Sequence, residues 1–403
     1  MAASRFHHRI VIVGGGTAGI TVAARLRRAG EDDLLLLEPA KIHWYQPLFT
    51  LVGAGLARMA ASCRPEVDVM PQGVQWMRDA AVGFEPERST VITSRGLELR
   101  YDALVVCPGL HCDWDAIPGL PETLGRDGLS SNYRPDLAPL TWSFLRDLRG
   151  GTAVFTMPSG PVKCGGAGQK IAYLAADWYR RRGVLDSNHL VLVVPGNGLF
   201  GVPEFAVVLQ DVVRRYGIDV HFEHELMEVD PKHKEVILAD RRTGRETKRR
   251  LRYDVAHVIP PQRAPDSVSS SPLADPGDPR GFVEADRYTL QHPRYPNVFT
   301  LGDVASAPNS KTGAAVRKQA PVVVDNLQAA LAGRPVRSRY DGYSSCPITT
   351  ARNRVLLAEF DYSLRPHKTL PFINTQQERY DMWLLKRYGL PFIYWHFMLR
   401  GLA

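Results

Sequence analysis

The 403-residue chain has only five cysteines, at positions 63, 107, 112, 164 and 346, and no two of them form a CxxC pair. An odd count without metal-type spacing argues against a secreted disulfide framework and against a structural metal site. No apolar run approaches the roughly 18 residues of a membrane-crossing helix. Low-complexity tracts are missing as well, and none of the common nucleic-acid-binding modules is present. The most basic run, "DRRTGRETKRRLR" (Asp240 to Arg252), lies between strand-like "KEVILAD" and "YDVAHVI" around a Thr-Gly turn. It reads as a solvated hairpin. The opening "MAASRFHH" is too short for a secretory signal, which predicts a chain that stays in the compartment where it is made. The rest is ordinary for a globular protein of two or three domains, at 44% hydrophobic and 23% charged. A net charge of +8 leaves attraction to an anionic membrane surface open.

Against this plain background the first forty residues carry a dense signal. "RIVIV" (Arg9 to Val13) reads as a buried parallel strand, "GGGTAG" (Gly14 to Gly19) as a glycine loop, and "ITVAARLRRAG" as a helix closed by Gly30. The next strand, "DLLLLE", ends in Glu38. Strand, glycines, helix and acid in this register form the dinucleotide fingerprint. Gly14, Gly16 and Gly19 let the backbone approach a pyrophosphate at a helix N-terminus, and Glu38 accepts ribose hydroxyls.

Two further segments end in turns beside that loop: "YDALVVCPG" (Tyr101 to Gly109) and "YPNVFTLGDVA" (Tyr295 to Ala305). With them the chain resembles the flavoproteins that carry two dinucleotide-binding domains. The resemblance implies an α/β fold with two Rossmann-like domains, a cofactor domain (6–115 with 283–340) interrupted by a second (116–282), then a C-terminal, membrane-facing region (341–403). It implies FAD as cofactor, with Asp303 at its ribityl and pyrophosphate region. It also implies that "KTGAAV" (Lys311 to Val316) opens a helix toward the flavin ring.

The second unit departs from the pattern. After its first strand, "GTAVFTMP" (Gly151 to Pro158), the phosphate loop is replaced by the bulkier "SGPVKCGGAG", and its second strand, "HLVLVV", ends in Pro195 rather than an acid. A second GxGxxG, "GNGLFG" (Gly196 to Gly201), follows the wrong strand and reads as a turn. The unit looks like a nucleotide domain without its nucleotide, which speaks against NADH as substrate. In the altered loop Cys164 stands just before a helix with Lys163 adjacent, a setting that lowers a thiol pKa. Cys346 lies far downstream, before Pro347 in "YDGYSSCP". Cys107 reads as packing, while Cys63 and Cys112 have no evident partner. His43 and His111 read as structural hydrogen-bonding residues rather than proton carriers.

These stretches, with "EPAKIHWYQPLFTLVGAG", "NRVLLAEFDY" and "LPFIYWHFMLRG", run in order along nearly the whole chain. Together they resemble the sulfide:quinone oxidoreductases, in the subgroup that includes the animal mitochondrial enzyme. That resemblance implies Cys164 and Cys346 as the redox pair. It implies FAD contacts at Gly16, Thr17, Glu38, Gln46, Ala81, Asp303 and Lys311, to which Gly14, Gly19, Gly109 and Thr312 are added from the loops that hold them. The implied partners are hydrogen sulfide, a membrane quinone and a small sulfur acceptor (sulfite, glutathione, cyanide or sulfide itself). A homo-oligomer is compatible with it, and FAD is expected to be non-covalent, because Ser130 and Ser131 stand where some relatives carry a third cysteine. From pattern alone, the aromatic and basic segment Asp381 to Ala403 suits a bilayer interface, a core-packing helix pair or a dimer contact equally. The resemblance favours the bilayer, as a peripheral membrane protein, and the missing signal favours the cytoplasmic face of the cell membrane. Two alternatives remain at this stage, an NADH:quinone oxidoreductase of similar fold and a non-catalytic flavin sensor or sulfur carrier.

Overall fold

A computed structural model describes residues 5–242 and 247–403. Strand Arg5–Val13 forms the middle of a seven-stranded sheet, with Leu34–Leu37 and then Gln75–Met77 parallel on one side. On the other side lies Glu98–Val106, whose C-terminal half pairs in parallel with the late strand Val298–Thr300. Its N-terminal half continues instead into an antiparallel meander, Thr90–Thr93 and Ala81–Glu85. Unbroken runs of Val, Ile and Leu make these strands because both sheet faces are covered. Ile10, Val11, Ile12, Leu34 and Leu36 are all essentially inaccessible to solvent. Each such side chain contributes about 1.5–3 kcal/mol of burial free energy. The Thr17–Arg28 and Gly313–Leu331 helices pack against one another, so the fingerprint helix is supported by a segment three hundred residues downstream.

Between the two halves of that sheet the chain builds a second one. Five parallel strands run in the order Leu129–Ser130, Val255–His257, Gly151–Thr156, Asn188–Val194 and Asp219–Phe222. The Ala167–Arg181 and Pro203–Tyr216 helices are its crossovers. A three-stranded antiparallel sheet follows, in which Glu235–Asp240 pairs with Thr247–Arg252, the hairpin expected of the basic run. Its Thr-Gly turn lies outside the described residues.

After the Gly313–Leu331 helix, a hairpin pairs Ser344–Ala351 with Arg354–Phe360, and Cys346 lies opposite Ala358. The last helix runs through three segments, Tyr380–Leu384, a π turn at Leu385–Gly389, and Leu390–His396. The π turn falls just before Pro391, which lacks an N–H and would clash with the carbonyl one α-turn back; widening that turn relieves both defects. One face of this helix is buried through Met382, Trp383, Lys386, Tyr394 and Trp395. Tyr380, Leu384, Tyr388 and Phe392, four residues apart in turn, stay exposed at 59%, 41%, 62% and 57%. No helix among the described residues is long and apolar enough to cross a membrane.

One buried charge fixes the turn that leads into the meander. The Asp79 carboxylate accepts from Ala80 N at 2.8 Å and Arg95 Nε at 2.8 Å, and also from the Ser94 hydroxyl. Burial works to raise its pKa, but the hydrogen bonds from Ser94, Arg95 and Thr93 outweigh it and hold the carboxyl well below the usual range. The stability it contributes is therefore complete above about pH 4, the ordinary Asp value, and is lost as the pH falls further. Asp79→Ala is expected to lower unfolding free energy at pH 7 by about 1–3 kcal/mol. Denaturant titrations at pH 7 and pH 3 check this, the difference between variant and parent narrowing at the lower pH.

Candidate active site

The glycine loop divides its three fingerprint glycines between two tasks. Gly14 has a φ of +105°, and a Cβ there would sit 2.5 Å from the Cys107 carbonyl oxygen. Gly19 packs so closely on the loop that its Cβ would lie 1.8 Å from the Gly14 carbonyl oxygen. Both are demanded by the protein's own packing. Gly16 is not. Its φ is −69°, and a Cβ on it would meet no atom within 4 Å. It caps the Thr17–Arg28 helix without a side-chain hydrogen bond, and no acidic residue occupies the first turn. Free N–H groups under open space are what a diphosphate requires.

Glu38 accepts from Gly15 N at 2.7 Å on one oxygen and from Ala40 N at 2.7 Å on the other. Burial pushes its carboxyl up, against those two hydrogen bonds. Each carboxylate oxygen keeps a lone pair for a ribose hydroxyl. Of the other expected contacts, Gly109 turns at φ +78° with open space above it, Ala81 begins the Ala81–Glu85 strand, and Gln46 is exposed at the head of a short 3₁₀ turn. Asp303 lies in the Gly302–Val304 turn, its carboxyl raised by burial, with Lys163 and Lys311 acting in the opposite direction. Lys311 is buried, donates from Nζ to the Ala305 carbonyl at 2.9 Å and lies 4.0 Å over the Phe282 ring. Burial lowers its ammonium to about 8. The Thr312 hydroxyl accepts from Ala315 N at 3.1 Å and so caps the Gly313–Leu331 helix. The open cradle at Gly16, together with the unpartnered buried amide of Asn132 and Nε2 of Gln262, fits FAD.

Cys164 and Cys346 meet, although the chain between them runs through three strands of the second sheet and back to the first. Cys164 adopts a left-handed φ of +57°, a conformation strained for a residue with a side chain. Its N–H donates to the Lys311 carbonyl at 3.0 Å, and its own carbonyl accepts from Ala167 N at 2.8 Å. Tyr133 adds a hydroxyl donated to the Lys163 carbonyl at 2.6 Å. The loop is thereby stitched to the entry of the Gly313–Leu331 helix. The Cys346 sulfur lies against the same loop, 3.2 Å from where a Cβ on Gly166 would be. Both thiols are free.

The decisive neighbour is Lys170. Its Nζ stands 3.0 Å from Cys164 Sγ, and the residue is only 3% exposed. A hydrogen bond from Cys346 and the charge and hydrogen bond of Lys170 lower the Cys164 pKa well below an ordinary thiol, over the opposing effect of burial. Cys346 moves the other way, because it keeps the proton that it shares with Cys164 and is itself buried. Burial would discharge Lys170, but the two sulfurs outweigh it and hold its pKa above the ordinary value. A second buried ammonium, Lys386 on the last helix, donates to the Pro47 carbonyl at 2.9 Å. Burial and the charge of Lys170 lower it to about 8.

The adjacent lysine is not the one that acts. Lys163 lies 5.6 Å over the Tyr133 ring, whereas Lys170, at the start of the Ala167–Arg181 helix, reaches the sulfur. The sequence signal for Lys170 was a lysine inside an otherwise apolar helix face. Lys386 offered none. Cys107 is buried with Sγ 3.7 Å from the Gly14 carbonyl, as a packing residue would be, and His43 is hydrogen-bonded to Tyr394. In the second unit the Gly196–Gly201 stretch forms bends between the Asn188–Val194 strand and the Pro203–Tyr216 helix. Pro195 ends that strand where a ribose-binding acid would stand.

The family described as pyridine nucleotide-disulphide oxidoreductase matches residues 8–322. A mitochondrial sulfide:quinone oxidoreductase of Dictyostelium discoideum is 41% identical over 98% of this chain and 86% of its own length. That of Mus musculus is 39% identical over 98% and 87%. The chain belongs to the sulfide:quinone oxidoreductase family. Among solved structures, the sulfide:quinone oxidoreductase of Aquifex aeolicus superposes with a TM-score of 0.79 at 20% identity, covering 99% of this chain and 92% of that one, and so shares the fold.

Gly16 offers a test of the cradle independent of turnover. Because a Cβ there touches no protein atom, Gly16→Ala is expected to leave the melting temperature of the FAD-free protein unchanged. The same variant should weaken FAD binding at least about tenfold, by blocking close approach of the diphosphate. Flavin fluorescence titration beside a thermal melt separates the two effects.

Proposed function

We propose that Cys164 and Cys346 are the sulfur-handling pair through which this chain, as a sulfide:quinone oxidoreductase, oxidises hydrogen sulfide. The observation that carries the assignment is the sealed Lys170 ammonium 3.0 Å from the Cys164 sulfur. In the oxidised pair the two sulfurs are joined, directly or through one bridging sulfur. Taking the direct disulfide, hydrosulfide attacks at Cys346; a new sulfur–sulfur bond forms there, and the bond to Cys164 breaks. The products are a persulfide on Cys346, which keeps the proton of hydrosulfide, and a thiolate on Cys164. Lys170 lowers the cost of that leaving group, and Lys386 adds a second positive charge in the same buried space. A nucleophilic acceptor such as sulfite, glutathione, cyanide or further sulfide then removes the outer sulfur and leaves a Cys346 thiol. The Gly14–Gly19 loop, Glu38, Gln46, Ala81, Gly109, Asp303, Lys311 and Thr312 would hold FAD, which would supply a two-electron acceptor between the cysteine pair and quinone.

The division into a cofactor domain (6–115 with 283–340), an inserted domain (116–282) and a C-terminal region (341–403) is part of this reading, and is supported by the two separate sheets, one mixed and one parallel. So is attachment to a membrane surface, because quinone is lipid-dissolved. The exposed stripe Tyr380, Leu384, Tyr388 and Phe392 supports a helix lying in the interface with its other face on the protein. The cytoplasmic face finds no support in the relatives, whose names carry the word mitochondrial, and the proposal is confined to the membrane surface itself.

Anaerobic sulfide is expected to bleach the flavin of the intact protein, and NADH is not. Cys164→Ser should retain FAD and fail to bleach with sulfide; normal bleaching would remove Cys164 from the mechanism. Lys170→Met should raise the Cys164 pKa toward the ordinary value of about 8.5 and slow alkylation of Cys164 at pH 7 at least about tenfold. An unchanged rate–pH profile would show that Lys170 does not stabilise the thiolate. Paired Tyr388→Glu and Phe392→Glu substitutions should reduce co-sedimentation with lipid vesicles at least about tenfold while sparing sulfide-driven bleaching in solution.

A further inference from the structure

One buried polar chain takes no part in the sulfur chemistry. The Tyr394 hydroxyl lies 2.6 Å from His43 Nε2 and 2.8 Å from Thr17 Oγ1. His43 Nδ1 stands 3.4 Å from Glu66 Oε2. Tyr394, His43 and Glu66 are 4%, 3% and 1% exposed. The other carboxylate oxygen, Glu66 Oε1, has no hydrogen-bond partner and lies against the glycine loop, 2.9 Å from where a Cβ on Gly15 would be. The chain therefore joins the last helix to the first turn of the fingerprint helix.

Its donors and acceptors can be arranged in two ways, because a tyrosine hydroxyl has one proton. In one, Tyr394 donates to His43 and Thr17 donates to Tyr394, so the Thr17 proton is used up inside the protein. In the other, His43 Nε2–H donates to Tyr394 and Tyr394 donates to Thr17, and the Thr17 proton points outward. Only the second serves an anion at the head of the helix. It has His43 donating from Nε2, with Nδ1 facing Glu66 Oε2 at 3.4 Å. The same C-terminal segment also grips the far end of the fingerprint helix. Arg25 donates to the Ala403 carbonyl at 2.6 Å, and Gly401, at φ +70°, packs so that a Cβ would lie 2.9 Å from the Arg25 nitrogen.

We propose that Tyr394 is a positioning residue for the cofactor. It turns Thr17 into an outward donor toward the FAD diphosphate, and so links cofactor affinity to the seating of the C-terminal segment along the fingerprint helix. The proposal rests on the reading of Thr17 as an FAD contact. Such a link is reciprocal: bound FAD holds the segment down as much as the segment holds FAD.

The test measures the FAD dissociation constant, by flavin fluorescence on dilution of holoenzyme, for the parent, Thr17→Ala, Tyr394→Phe and the double variant. Tyr394→Phe is expected to raise it about five- to tenfold, the loss of one buried hydrogen bond. Thr17→Ala should raise it at least as much, and the double variant should be no weaker than Thr17→Ala alone. An unchanged constant in Thr17→Ala overturns the reading of Thr17 itself. A weakened Thr17→Ala with an unchanged Tyr394→Phe, or effects that multiply in the double variant, overturns the coupling. A purely structural Tyr394 would lower the melting temperature and leave the constant alone. In the unmodified protein, bound FAD should slow amide exchange across residues 390–402 relative to the FAD-stripped protein; equal exchange overturns the linkage.

Discussion

A lysine ammonium sealed from water is tolerated only when an opposite charge answers it. The Lys170–Cys164 contact is that arrangement, and much of the surrounding architecture follows from it. Neither member is stable alone: without the thiolate the ammonium would be driven to lose its proton, and without the ammonium the sulfur would recover one. The pair also makes its third member asymmetric. Cys346, pressed against a thiolate, must stay neutral, so the two sulfurs enter chemistry with unlike roles although they are the same residue type. Holding three groups in this way brings together two distant parts of the chain, since Cys164 and Lys170 are only six residues apart. The loop after the Gly151–Thr156 strand supplies one sulfur, the apolar face of the Ala167–Arg181 helix the lysine, and the Ser344–Ala351 strand the other sulfur.

The second unit shows what that arrangement displaced. A dinucleotide loop needs bare backbone at the head of its helix, and here the place is filled by a strained cysteine whose N–H is already committed to the Lys311 carbonyl. The parallel sheet and its crossover helices survive, because packing of apolar strands does not depend on the ligand. What was lost is confined to a few loop residues and to the acid that Pro195 replaces.

Much of this was legible beforehand, for physical reasons. The strand read at Arg9–Val13, which the fold extends back to Arg5, the three glycines and Glu38 follow rules of local backbone sterics, and local rules leave local marks. The basic run read as a hairpin for the same reason. The meeting of Cys164 with Cys346 left no such mark; it was implied by likeness to a known family, not by any spacing. Lys170 and Lys386 were missed because a lysine in an apolar stretch usually extends its ammonium to water, and only the folded surroundings show that these two cannot. Thr312 carries a duty that the sequence did not announce, since its hydroxyl also accepts from Ala315 N and caps the Gly313–Leu331 helix.

The π turn at Leu385–Gly389 carries a consequence for how this sequence can vary. Such a turn holds one residue more than regular α-helical geometry would use, so everything beyond it is rotated by about 100° relative to an uninterrupted helix. Lys386 and Tyr394 both point inward because of that offset. Closing the turn to regular α geometry without removing that residue would leave the segment as aromatic, as basic and as apolar as before. Yet it would rotate Tyr394 about 100° from its buried place and carry an exposed ring toward the protein. For this helix, the extra residue in the turn matters as much as the chemistry of the residues around it.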